Sequence, residues 1–199
     1  MTQAKTARLD EAALREAALA YTARYGGTAA SLTRALDRRI RRWADALLAV
    51  EGADREAIAG QAALLRQQAR KVVAQLADMG AVNDQAFAES RARRLRRAGR
   101  SRRAVLAHLA AKGVDAEKAG AAVPEDEAAE LAAALAFARR RRVGPFAATE
   151  DDLPPEAEAR VLAAFGRAGF SGAVARRILA FAREEAEEVL LAGKRAGAA

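Results

Sequence analysis

A short stop-and-start signal occurs three times in this chain and leaves little choice of fold. Arg24-Tyr25-Gly26-Gly27-Thr28, Arg97-Ala98-Gly99-Arg100-Ser101 and Arg167-Ala168-Gly169-Phe170-Ser171 share an arginine, a glycine two residues later and a hydroxyl residue two further on. Eight residues past each hydroxyl stands a leucine, Leu36, Leu109 or Leu179. A glycine just beyond a periodic apolar segment takes the left-handed conformation that closes a helix, and the Ser or Thr after it accepts from the free N–H groups of the next one. The arginine falls in a last helical turn, where the macrodipole favours a cation. The residue at cap plus four (Leu32, Val105, Ala175) shares a helix face with the leucine. Copies 73 and 70 residues apart therefore predict three helical hairpins.

Charge sets the middle copy apart. From Ser90 to Val114 there are eight arginines and Lys112, and no carboxylate. At about 100° per residue, Arg93, Arg94, Arg96 and Arg97 spread over an arc opposite Phe87 and Leu95, so one face packs and the other presents charge. Arg100, Arg102 and Arg103 continue the patch across the turn. Arg91 lies nearer the packing side and is expected to snorkel or to find an acid elsewhere in the chain.

The 199 residues can bury a real core, but much of the 52% hydrophobic content is alanine and only 5% is aromatic, which favours slim helices. With Ala, Leu, Arg and Glu dominant and only four prolines, the class is all-α. A net charge of +8 points to a polyanionic partner or an acidic protein surface, or to arginine filling solvated helix positions. Without cysteine, disulfide and thiolate chemistry are excluded, and with a single histidine a structural zinc site is not expected. No uncharged run exceeds nine residues, far short of a membrane span, so a soluble intracellular protein is expected.

In chain order, residues 1–8 read as a frayed start. A helix from about Leu9 to Tyr25 carries Leu14 and Leu19. Thr28 caps a second, striped by Leu32, Leu36, Ile40, Trp43, Leu47 and Val50 and ended by Gly52. In register with five aliphatic residues, Trp43 reads as core rather than as a base-stacking platform. Asp54 caps a long third helix to about Met79, with Ile58, Leu65, Val72 and Leu76 packing back on the second. Arg38, Arg39, Arg41 and Arg42, beside Asp37 and Asp45, read as a solvated, partly self-paired face. Gly80 closes the third helix, and Asn83 or Asp84 opens the basic hairpin. Asp115 caps a short helix to about Val123. After Pro124 an acidic start at Glu125, Asp126 and Glu127 leads a helix ending in Arg139 to Arg142, a run that C-terminal capping alone accounts for. Residues 147–155, with Glu150, Asp151 and Asp152, read as a solvated loop. Helices from about Glu156 to Arg167 and from Gly172 to Leu190, the latter ending acidically at Glu184 to Glu188, precede a loose Gly/Ala tail. The expected division is 1–8, a first module at 9–82, a basic second at 83–123, a third at 124–190, and a tail at 191–199.

No catalytic constellation emerges. His108 has no nucleophile at a recognisable spacing and reads as structural or as a solvent-edge residue. No GxxxxGK[ST] phosphate loop is present. Neither an enzyme nor a bound cofactor or metal is expected.

Asn83-Asp84-Gln85-Ala86-Phe87-Ala88, then Gly99-Arg100-Ser101, then Leu109-Ala110-Ala111-Lys112-Gly113-Val114 resemble the "DD-x-x-[FY]-A", "G-x-S" and "L-x-x-K-G-[IV]" of the RecX family of recombination regulators. Arg167 to Ser171 is similar to the family's "R-x-G-F-S", and Arg140 to Phe146 to the "RRR-x-GP-[FY]" of a subset. The resemblance spans roughly Leu14 to Phe181. Departures are Asn83 where a first acid is usual, Ser31 and His108 where many members carry glutamate before a leucine, and a longer segment between Arg42 and Leu64. The resemblance implies a curved array of three-helix modules that binds the RecA recombinase, restrains its filament on single-stranded DNA and lowers its ATPase and strand exchange, in homologous recombination and DNA repair. It implies a cytoplasmic protein, expected as a monomer. The candidate contact residues are Arg93, Arg94, Arg96, Arg97, Arg100, Arg102, Arg103 and Lys112. The alternative is a helix-turn-helix DNA-binding regulator presenting Arg100, Arg102 and Arg103 at a helix start. Passive single-strand binding would call for aromatics among the basic residues, and none lies between Ser90 and Val114.

Overall fold

The computed structural model describes residues 9–148 and 154–196, and every α-helix or strand among them is a helix. The expected frayed start, the acidic group Glu150 to Asp152 and the last residues of the tail lie outside the described residues. Ten α-helices follow in order: α1 (Glu11–Tyr25), α2 (Ala29–Leu48), α3 (Arg55–Asp78), α4 (Asp84–Arg97), α5 (Arg102–Ala111), α6 (Ala116–Ala122), α7 (Glu127–Arg141), α8 (Pro155–Ala168), α9 (Gly172–Leu179) and α10 (Arg183–Ala196). A 3₁₀ turn, Gly144–Phe146, follows α7. By packing, the chain forms two units, one from residues up to 87 with 112–114, the other from 88–111 with 115 onward.

In the first unit, α1, α2 and α3 close around Leu14, Ala18, Leu32, Leu36, Ile40, Leu65, Ala69, Val72 and Leu76. Side-chain carboxylates at Asp10 and Asp54 cap α1 and α3 by accepting from the third N–H of each helix. Thr28 opens α2 through a reciprocal capping box with Ser31. Trp43 is half-buried against this core, as its register predicts. The stripe stops sooner than its periodicity suggests: α2 ends at Leu48, a tight turn follows in which the Val50 N–H bonds the Leu47 carbonyl, and Val50 is exposed. Leu19, although helical, is exposed as well. Arg38, Arg39, Arg41 and Arg42 are all exposed.

The second unit is centred on Phe137, Phe165 and Phe170, whose rings lie 4.9, 5.7 and 5.7 Å apart in edge or tilted contacts, with Leu131, Leu135, Ile178 and Leu190 around them. The helix expected from Gly172 to Leu190 is two helices, interrupted at 180–182. No Gly or Pro marks the break. The Ala180 N–H bonds back to Arg176 and Arg177 carbonyls, and the Ala186 N–H bonds the Ala182 carbonyl to start α10. The carboxylates read as an acidic end thus open a helix, with Glu184 and Glu185 in its first turn, where the dipole favours them. That helix continues through Ala196, beyond the expected tail boundary at 191. On α9 the buried residues are Ala175 and Ile178, while Leu179, the repeat leucine, is only half-buried.

All three repeat glycines have positive φ, 53° at Gly26, 74° at Gly99 and 95° at Gly169. The hydroxyls that follow each accept from the N–H three residues on. Two of them do more. Thr28 and Ser101, both with no solvent exposure, also donate to a distant carbonyl, Thr28 Oγ1 to Lys112 (2.7 Å) and Ser101 Oγ to Ala168 (2.7 Å). In each case the accepting residue precedes a left-handed glycine, Gly113 or Gly169.

Candidate functional site

The basic hairpin is α4, the Gly99 turn and α5. The turn closes by the Gly99 N–H bonding Arg96 (2.8 Å) and the Arg100 N–H bonding Leu95 (3.0 Å), a closure that requires the left-handed residue between them. A Cβ on Gly99 would also sit 2.6 Å from the Phe137 backbone nitrogen, so no other residue fits.

The hairpin sorts its arginines into two sets. Ala88 and Ala92 are the buried residues of α4. Measured from their stripe at about 100° per residue, Arg91 and Arg96 flank it on either side, while Arg93, Arg94 and Arg97 point away. The flanking pair is held by the fold. Where snorkelling or an acid was expected, Arg91 Nε donates to an imidazole, His108 Nε2 (3.0 Å), and this bond requires the neutral Nδ1–H tautomer. Arg96 pairs with Glu130 of α7, the two side chains only 16% and 19% exposed, and also reaches the Arg100 carbonyl (3.4 Å).

Arg102 belongs with Arg96. Its backbone N–H donates to the same Glu130 (3.0 Å), its Nε to the Val123 carbonyl (2.9 Å), and its guanidinium pairs with Glu125 (3.4 Å). Glu130 therefore neutralises Arg96 and helps cap α5. Arg103 is exposed but donates to the Gly166 carbonyl (3.1 Å). Arg93, Arg94, Arg97 and Arg100 are exposed. Lys112 is exposed too, but it packs with the first unit, where its carbonyl accepts from Thr28 and Arg34 (3.1 Å). The hairpin thus carries Arg93, Arg94, Arg97, Arg100 and Arg103 within the second unit, while Lys112 belongs to the first.

One contributor escaped the sequence. Arg140, read as a helix-end cation, donates to the Ala98 carbonyl in the hairpin turn. Only the close approach of α7 to Gly99 creates this contact, so no local pattern could have announced it.

Residues 83–123 match the family model described as RecX, second three-helix domain. The chain is 38% identical over 169 residues to the regulatory protein RecX of Myxococcus xanthus strain DK1622, covering 83% of each. It is 39% identical over 110 residues to the regulatory protein RecX of Agrobacterium fabrum, covering 55% of this chain and 58% of that one. The chain belongs to the RecX family.

The family motifs do local work here. Asn83 caps α4 by accepting from Ala86 (2.9 Å), a task Asn performs as well as Asp, while Asp84 accepts from the Ala29 N–H (2.8 Å) at the start of α2. Lys112-Gly113 acts through backbone: the lysine carbonyl receives Thr28, and a Cβ on Gly113 would collide with Ala30. The departures also have physical accounts. Ser31 accepts from the Thr28 N–H (3.0 Å), the reciprocal bond that glutamate makes in a capping box, and His108 serves as the acceptor for Arg91. Among the described residues, no group of three or more His, Cys, Asp or Glu could hold a metal ion, and no helix is long and apolar enough to cross a membrane.

Proposed function

We propose that this protein is a non-enzymatic, cytoplasmic regulator that binds the RecA recombinase filament on single-stranded DNA and lowers its ATP hydrolysis and strand exchange. The observation that carries the reading is the outer face of the α4–α5 hairpin. Exposed Arg93, Arg94, Arg97, Arg100 and Arg103 lie in a segment without a carboxylate, on a scaffold held by Arg91, Arg96 and Arg102. Guanidinium forks match phosphate and carboxylate oxygens in pairs, so such a face suits the DNA backbone or the acidic side chains of a recombinase. Like charges held this close also draw a polyanion in at long range.

The helix-turn-helix alternative fares less well. A recognition helix reads bases with its first turn, and here Arg102 in that turn is engaged by its own chain, through Glu130, Glu125 and Val123. The deciding experiment is a titration of RecA ATP hydrolysis on single-stranded DNA, from sub-stoichiometric to equimolar protein, repeated at several salt concentrations. The rate falls with added protein under this reading, and a rate unchanged across the range sinks it. A log–log salt slope of about 0.7 per phosphate contacted identifies nucleic acid as the direct partner.

A further inference from the structure

Within the second unit, a half-open cavity of about 200 Å³ lies between α7 and α8. It is lined by buried Phe137 and Phe165, by Val143, Val161 and Ala164, and by exposed Arg141 and Arg160. The Arg141 guanidinium lies 5.4 Å from the Phe137 ring centre, and Arg160 is steered by a bond from its Nε to the Glu156 carbonyl (3.2 Å). Arg139 and Arg142, of the same helix-end run as Arg141, are exposed. Among the described residues none of these four arginines forms an ion pair. C-terminal capping of α7 explains a cation or two near its last turn, but not the further arginine that α8 contributes to the lining of an apolar hole.

We propose that this cavity is a second docking site, distinct from the α4–α5 face, for an acidic peptide segment of a protein partner that inserts one large hydrocarbon side chain. Size and charge support this occupant. The space suits one aromatic or leucine side chain and is smaller than the cavities that take whole small-molecule ligands. Burying such a side chain between phenylalanine and valine walls costs no hydrogen bond, while neighbouring carboxylates meet Arg141 and Arg160. A nucleic-acid base fits less well, since its edge donors and acceptors would face apolar walls with few partners. The site is independent of whether the basic hairpin contacts RecA.

The test uses the full chain and a fluorescein-labelled peptide, Asp-Glu-Asp-Phe-Asp-Glu, followed by fluorescence anisotropy. Replacing the peptide's Phe by Ala is expected to weaken binding roughly tenfold or more. Arg141→Glu with Arg160→Glu is expected to weaken it by at least as much, and Ala164→Trp, which fills the cavity, to do the same. Circular dichroism and thermal melting establish that the variants fold, and the charge-reversal pair, on exposed residues, covers the case in which the tryptophan variant does not. Equal affinity for the Phe and Ala peptides, or a charge-reversed protein that binds as before, overturns the proposal. So does a short oligothymidylate whose binding, unlike the peptide's, is abolished by the same substitutions.

Discussion

The inner and outer faces of the α4–α5 hairpin are built from the same residue type and do different things. On the inner side Arg96 is largely withdrawn from water against Glu130, and Arg102 spends its donors on Glu130, Val123 and Glu125. On the outer side Arg93, Arg94, Arg97 and Arg100 are exposed. Counting arginines therefore overstates the surface available to a partner. Burial and geometry divide one basic run into a part that holds the hairpin and a part that offers charge, and each can be removed separately.

The largest loss should follow substitution at the turn that both faces share. Gly99→Ala places a side chain at φ 74° and against the Phe137 backbone nitrogen, and is expected to cost on the order of 3 kcal/mol, read from urea unfolding followed by circular dichroism. A loss below about 1 kcal/mol would mean the turn is looser than described, since Gly→Ala at a position that tolerates a side chain stabilises by about 0.4–1 kcal/mol.

Next comes the inner face. Arg96→Ala leaves Glu130 poorly exposed and without its guanidinium, at an expected cost of about 2 kcal/mol. A double-mutant cycle with Glu130→Ala should return a coupling of roughly 1 kcal/mol or more, and additivity would break the distinction between the faces. Smaller still are the caps, which sharpen the comparison across the repeat. Ser101→Ala loses both a helix cap and the bond to Ala168, about 1–2 kcal/mol, whereas Ser171→Ala loses only a local cap on an exposed residue, about 0.5–1 kcal/mol.

The parts of this structure legible in the sequence are those written locally. Helix stops at Gly26, Gly99 and Gly169, the hydroxyl caps after them, and Asp54 and Asp115 at helix starts depend on a few adjacent residues, and the chain shows them where they are needed. The side on which Arg96 lies was not legible, because the packing stripe of α4 is Ala88 and Ala92, and alanine in an alanine-rich chain carries little directional signal. Its acid, Glu130, is 34 residues away. The interruption at 180–182 was hidden because it is made by backbone bonds, from Ala180 to the Arg176 and Arg177 carbonyls and from Phe181 to that of Ile178, with neither Gly nor Pro to announce it. Arg140 reached the hairpin only through the approach of α7 to Gly99, a contact that exists in three dimensions alone.

The outer face supplies the most direct measurement. The variant carrying Arg93→Glu, Arg94→Glu, Arg97→Glu and Arg100→Glu keeps the Arg96–Glu130 pair and is expected to retain its helical circular dichroism. Titrated into RecA on single-stranded DNA beside the unaltered protein, it should leave ATP hydrolysis running at the uninhibited rate while the unaltered protein lowers it. A folded variant that still lowers the rate as well as its parent would contradict the account.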